Sequence, residues 1–238
     1  MPNITLDDKL VYMAIGLRFR PNFIIEDKLG QILNSILYSK NAFFDTKFFT
    51  LVENANNQKR LINDKQTNIL TINSQNLILE IGSMRDYSFE DIEKRFEEDI
   101  LKYVLKECKL EGIGRIGYLK RYEIADTDIA NILDKKIDFG EKLQDVNLRF
   151  SKRPMTAKSE VSKDNNDYFN LIYDFSKRIT ENKLRIGIDV QKYFNPVADY
   201  DNFVEDEYKG FIGKVNYYNS ENFLSWFRKY CGENDGAL

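Results

Sequence analysis

Ala14-Ile15-Gly16-Leu17-Arg18-Phe19-Arg20, near the start of the chain, is echoed in its middle by Arg115-Ile116-Gly117-Tyr118-Leu119-Lys120-Arg121. Around the first copy, Val11, Met13, Ile15, Leu17 and Phe19 are apolar at every second position, which is the period of a strand with one buried face. Pro21 ends that strand. After each copy the hydrophobic pattern runs helix, several strands, long helix. A pattern that restarts in this way is the mark of a repeated unit. The expectation is two fused α+β halves, residues 1–110 and 111–238, in one compact unit.

Working outward through the first half, Ile25, Leu29, Ile32, Leu33, Ile36 and Leu37 fall at helical spacing. Phe43–Val52, Lys59–Asn63, Asn68–Ile72 and Leu77–Gly82 read as strands, with Asn73-Ser74-Gln75-Asn76 as a turn between the last two. Ser88 is the expected N-cap of a long helix to Cys108, buried through Ile92, Phe96, Ile100, Val104 and Leu105. The second half supplies a strand Ile113–Ile124, a helix opened by Asp126 or Thr127, and strands around Val146–Phe150, Tyr168–Lys177 and Leu184–Val190. Helices from about Tyr200 to Val215 and from Ser220 to Cys231 close it. Short turns make consecutive strands antiparallel, and one apolar face per strand asks for helices on one side. The predicted fold is therefore α+β: a largely antiparallel curved sheet with the long helices on one face and a concave front.

Composition narrows the chemistry. The 238 residues are 42% hydrophobic and 31% charged, with 17 Phe and 14 Tyr, enough apolar area for a sizeable core under an ordinary polar surface. Histidine is absent, which removes Ser-His and Cys-His hydrolysis, zinc deamination and most transition-metal sites; no metal or cofactor is expected. A formal charge of −3 gives no global attraction to nucleic acid. Cys108 and Cys231 read as reduced, buried small hydrophobes. The start of the chain lacks a leader pattern and no apolar run is long enough for a membrane helix, so the expected address is the cytoplasm.

Several of these segments carry a resemblance. Arg18-Phe19-Arg20-Pro21, the Tyr87–Phe96 entry into the long helix, Gly114-Arg115-Ile116-Gly117, Ile186-Gly187-Ile188-Asp189-Val190 followed by Tyr193, and a closing helix at Phe223–Phe227 together resemble a family of sporadically distributed bacterial proteins of unknown function. The chain departs from that pattern at Phe89, near which similar proteins tend to carry Trp. The resemblance implies a shared fold and a bacterial source, and no activity.

Three groups of residues invite a functional reading. Arg18, Arg20 and Arg115, with Lys120 and Arg121, form a candidate anion- or partner-binding set, because a planar guanidinium holds a carboxylate or phosphate through two hydrogen bonds. The competing reading is structural ion pairing to Asp189 or Glu80. Arg149, Lys152, Arg153, Lys158 and Lys163 lie in or beside an aperiodic basic loop, residues 151–167, a candidate rim for single-stranded nucleic acid, with Tyr118 and Tyr122 as stacking surfaces or else as core residues. Asp189, Glu80 and Lys192 form a weaker magnesium-nuclease set. Gly112-Ile113-Gly114-Arg115-Ile116-Gly117 matches the letters of a dinucleotide loop but runs into a strand where the mechanism needs a helix N-terminus.

The function expected from these residues is a non-catalytic interaction or regulatory protein, docking a protein partner or a second copy of itself. The sporadic distribution implied by the resemblance suggests an accessory component of a defence or toxin-antitoxin-type system. Nucleic-acid binding through the concave sheet or the basic loop is the alternative, and a magnesium-dependent nuclease is less favoured.

Overall fold

A computed structural model describes residues 9–38, 50–53, 59–63, 65–82, 88–125, 145–153, 167–178, 183–198, 203 and 206–219. The stretch read as a helix after Asp126, most of the basic loop with Lys158 and Lys163, and the closing segment with Trp226 and Cys231 lie outside the described residues.

The strands are β1 (Leu10–Phe19), β2 (Thr50–Glu53), β3 (Lys59–Ile62), β4 (Asn68–Ile72), β5 (Asn76–Ile81), β6 (Ile113–Ala125), β7 (Asp145–Lys152), β8 (Tyr168–Arg178) and β9 (Lys183–Ala198). They form a single nine-stranded sheet in the order β2-β3-β4-β5-β1-β6-β9-β8-β7, and every neighbouring pair is antiparallel. The α+β class and the antiparallel sheet agree with the hydrophobic pattern. The two echoed segments meet at the centre of the sheet, β1 against β6, with Gly16 opposite Gly117.

Alternation decides which side chains enter the core. Met13, Ile15 and Leu17 on β1 lie beside Ile81, Leu79 and Leu77 on β5, and all six are buried. Across β6 and β9 the same face continues through Ile116, Tyr118, Tyr122, Ile186, Ile188 and Val190. Helix α1 (Ile24–Tyr38) adds Ile25, Leu29, Ile32, Leu33 and Ile36 to this cluster. Each such side chain, fully buried, contributes about 1.5–3 kcal/mol. Asn22 fixes the start of α1: its Oδ1 accepts from the Ile24 amide at 3.0 Å, while its Nδ2 donates to the Cys108 carbonyl at 3.1 Å.

The long helix after Ser88 is present but not uniform. It consists of α2 (Phe89–Arg95), a π-helical turn Phe96–Leu101 and α3 (Lys102–Cys108). Ser88 caps it as expected, its Oγ accepting from the Asp91 amide at 3.2 Å. The wider turn places Phe96, Ile100 and Leu101 in the core. Lys109 then takes a left-handed conformation at φ 46° and ends the helix. Helix α4 (Asp206–Asn219) joins the same core through Tyr208, Phe211 and Val215, and the Tyr208 hydroxyl donates to the Glu93 carbonyl at 3.1 Å. No helix among the described residues is long and apolar enough to cross a membrane.

One strand is longer than its pattern. Alternation predicts Leu184–Val190, whereas β9 continues to Ala198, past a break in pairing that bears directly on the site.

Candidate anion-binding site

The second face of the sheet carries most of the charged side chains of the central strands. Along one transverse row, Arg18 of β1 stands opposite Arg115 of β6, Arg115 opposite Tyr193 of β9, and Tyr193 opposite Tyr168 of β8. The Tyr168 and Tyr193 rings are stacked, with centroids 4.8 Å apart and planes 8° from parallel. Arg153, just beyond β7, lies over the Tyr168 ring at 4.5 Å, and Arg115 lies 6.0 Å from the Tyr193 ring. Cation–π contact of this kind holds a guanidinium in place without neutralising it.

The row borders a break in the sheet. On the β1 side, Arg18 pairs with Arg115 but Phe19 pairs with Ile113, so Gly114 is an extra residue in the ladder. On the β9 side, Arg115 pairs with Tyr193 and Ile113 with Ala198, leaving Phe194–Val197 opposite the same glycine. A bulge leaves its extra residue unpaired and re-aims the neighbouring side chain. The opening is a cleft of about 320 Å³ lined by Arg18, Arg20, Gly112, Gly114, Arg115 and Tyr193, among others.

Arg20 reaches this cleft through Gly112. Its amide donates to the Gly112 carbonyl at 3.0 Å, and its aliphatic stem lies where a Gly112 side chain would be: a Cβ there would sit 2.5 Å from Arg20 Cδ. Gly112 also has φ +68°, a conformation open to glycine and costly for other residues. Arg18 and Arg20 are exposed and Arg115 is half-buried. Among the described residues, no carboxylate lies within ion-pair distance of any of the three. Neither Asp189 nor Glu80 forms an ion pair with them. Glu80 accepts from the Tyr12 hydroxyl at 2.6 Å. Asp189 accepts from Gln191 Nε2 at 2.6 Å; burial raises its pKa, while Gln191, Arg115 and Arg149 pull the other way.

The remaining candidates divide. Arg121 lies on the polar face, 4.8 Å from the Tyr12 ring, in a larger cleft of about 660 Å³. Ion pairs engage several of the charges there: Glu123 binds Arg185 at 3.0 Å and Lys183 at 3.3 Å, and Arg149 faces Asp174 at 3.6 Å. The hydrogen bond from Arg185 is the first cause of a lowered Glu123 pKa. Lys120 points to the opposite, core face, where its side chain is 5% exposed and its Nζ is 4.0 Å from Glu93 Oε1. Tyr118 and Tyr122 are buried on that same face and offer no stacking surface. Tyr118 instead donates to Glu93 Oε1 at 2.9 Å. Burial raises the Glu93 pKa, against the opposing pull of Lys120 and Tyr118. Lys152 and Arg153 are exposed at the end of β7.

The residues of the nuclease set do not converge. Glu80 and Asp189 share a face but β1 and β6 lie between their strands. Lys192 is on the core face, paired with Asp167 at 3.3 Å and with Glu207. The glycine run at Gly112–Gly117 enters β6, as its surroundings predict, and not a helix.

Sequence reasoning found Arg18, Arg20 and Arg115 but missed Tyr168 and Tyr193 as their supports, and it assigned Arg153 to a different set. The available signal was the isolated Tyr193 after the Leu184–Val190 alternation. No family model matches the chain, and no curated protein matches it.

Proposed function

We propose that this chain is a non-catalytic regulatory protein that recognises an anion at the Arg18–Arg20–Arg115 cleft and presents the polar face of its sheet to a protein partner or to a second copy of itself. The observation that carries this reading is the convergence of three arginines on one cleft with no carboxylate at ion-pair distance among the described residues. Arg18 and Arg115 stand directly opposite each other, an arrangement of like charges that disfavours folding. A sheet that tolerates such a pair at a bulge is built to receive negative charge there. Placement within a bacterial defence or toxin-antitoxin-type system draws its support from the resemblance alone.

Tandem duplication belongs to the same reading. Supporting it are the strand order, which runs outward from β1 through β5, β4, β3 and β2 and from β6 through β9, β8 and β7, so that the last strand of each half lies beside its first, and the glycine pair where the echoed segments cross. Helical cover on one face is supported by the shared core cluster of α1, α2, α3 and α4. The polar face is then the one left for docking.

The test is capture by the tagged protein together with light scattering. A reproducible partner or a dimer is expected, and it should be lost in the Arg18→Glu/Arg115→Glu variant while the circular dichroism spectrum is retained. A monomer with no reproducible partner refutes the reading.

A further inference from the structure

Resting on that reading of the cleft, we infer that its anion is a phosphate monoester on a small molecule. Charge is the first argument. Three guanidiniums supply three forks, whereas a carboxylate brings one charge and two oxygens. A phosphate monoester brings a charge of about −1.5 to −2 and three acceptor oxygens, one for each fork.

Position is the second argument. The forks enter from separate supports: Arg18 from β1, Arg115 from beside the Gly114 bulge against Tyr193, and Arg20 from over Gly112. Donors arriving from several directions suit a tetrahedral group better than a flat one. The stack Arg153–Tyr168–Tyr193–Arg115 continues across three strands and places Arg115 beside the Tyr193 ring. The two tyrosine rings are engaged with each other and with Arg153, which argues against base stacking as the mode of recognition.

Size is the third argument. At about 320 Å³ the cleft sits at the small end of the range for ligand pockets, about 300–1,000 Å³. Gly114 contributes no side chain, and a Cβ built there would meet nothing closer than 3.9 Å. Bare backbone at an unpaired position of the ladder therefore forms part of the cleft lining.

The experiment is calorimetric titration of the full chain with methyl phosphate, dimethyl phosphate and acetate. Methyl phosphate should bind, with dimethyl phosphate and acetate each weaker by about tenfold or more, since each lacks the second charge or the third free oxygen. Adenosine 5′-monophosphate and ribose 5-phosphate then separate the two sources of the group: whichever gains affinity over methyl phosphate identifies a nucleotide or a sugar phosphate. Arg18→Lys keeps the charge and loses the fork, and should weaken methyl phosphate by about tenfold. Gly112→Ala, which displaces the Arg20 stem, should weaken it as well. Equal binding of methyl and dimethyl phosphate, indifference to Arg18→Lys, or no binding at millimolar methyl phosphate overturns the inference. Failure here, with loss of the partner or dimer still seen in Arg18→Glu/Arg115→Glu, leaves the docking function standing. Loss of both results removes both.

Discussion

Gly16 and Gly117 occupy matching places in the two echoed segments and face each other across the central strand pair, yet replacing each by Ala should have opposite effects. Neither has a positive φ, so backbone conformation is no obstacle at either site. A Cβ on Gly16 would lie 2.9 Å from the Leu77 carbonyl oxygen and 3.0 Å from Ile78 Cγ1. The carbonyl belongs to the ladder of β5 and has no rotamer into which it can withdraw. A Cβ on Gly117 would meet only Gln191 Cγ, at 3.8 Å, an ordinary contact. Replacing Gly by Ala where the native conformation is compatible gains about 0.4–1 kcal/mol by restricting the unfolded chain. Forcing an extra methyl into packed structure costs about 1–3 kcal/mol. Gly16→Ala should therefore lose about 1–2 kcal/mol net, and Gly117→Ala should be neutral or gain up to about 1 kcal/mol. Urea unfolding of both variants measures this as shifts of the midpoint at constant slope. A loss in Gly117→Ala as large as that in Gly16→Ala would refute the reasoning, because it would mean that the β6–β9 side is as tightly closed as the β1–β5 side.

Two further predictions concern half-buried carboxyls. Burial raises the Asp189 pKa above its unfolded value, so the native state holds a proton more readily and loses stability as pH rises through that window. Asp189→Asn should stabilise the protein near neutral pH and lose that advantage once pH falls below the unfolded carboxyl range, as read from urea midpoints at the two pH values. An advantage that persists in acid would count against burial as the cause. Tyr118→Phe removes the hydroxyl that donates to Glu93 and should cost about 1–3 kcal/mol at neutral pH. The loss should shrink on acidification, as Glu93 takes up a proton; a loss independent of pH would place its origin in packing.

The fold was legible where periodicity is local. Asn68–Ile72 is β4 residue for residue, α1 departs by one residue at each end from Ile25–Leu37, and the Ser88 cap is where the sequence placed it. Two features escaped the sequence reading. The π-helical turn at Phe96–Leu101 keeps the same apolar residues inward, so the hydrophobic pattern runs through it without a break. Tyr118, Lys120 and Tyr122 share the period of Ile116 and Ile124, and that period alone placed them in the core. Their polar ends suggested a surface because the partner that admits Tyr118 and Lys120, Glu93, comes from another element.

The site was half legible for a related reason. Residue type selects Arg18, Arg20 and Arg115 as anion-binding groups, but only cross-strand register decides whether they meet. Positions 18, 115, 168 and 193 fall into one row because β1, β6, β9 and β8 are neighbours in that spatial order, an order that no local pattern encodes. A slip of one residue in a strand sends every side chain to the other face, so Arg115 reaches the cleft only in the register that sets it opposite Arg18 and Tyr193. The extra residue in the ladder thus does two things at once: it opens the sheet, and it lets Ile113 and Ile116 both stay buried while Arg115 between them faces out. Without the bulge, Ile113 and Ile116 would lie on opposite faces and one of them would be stranded among the arginines. The hydrophobic demand of those two isoleucines therefore fixes the irregularity, and the irregularity makes the cleft.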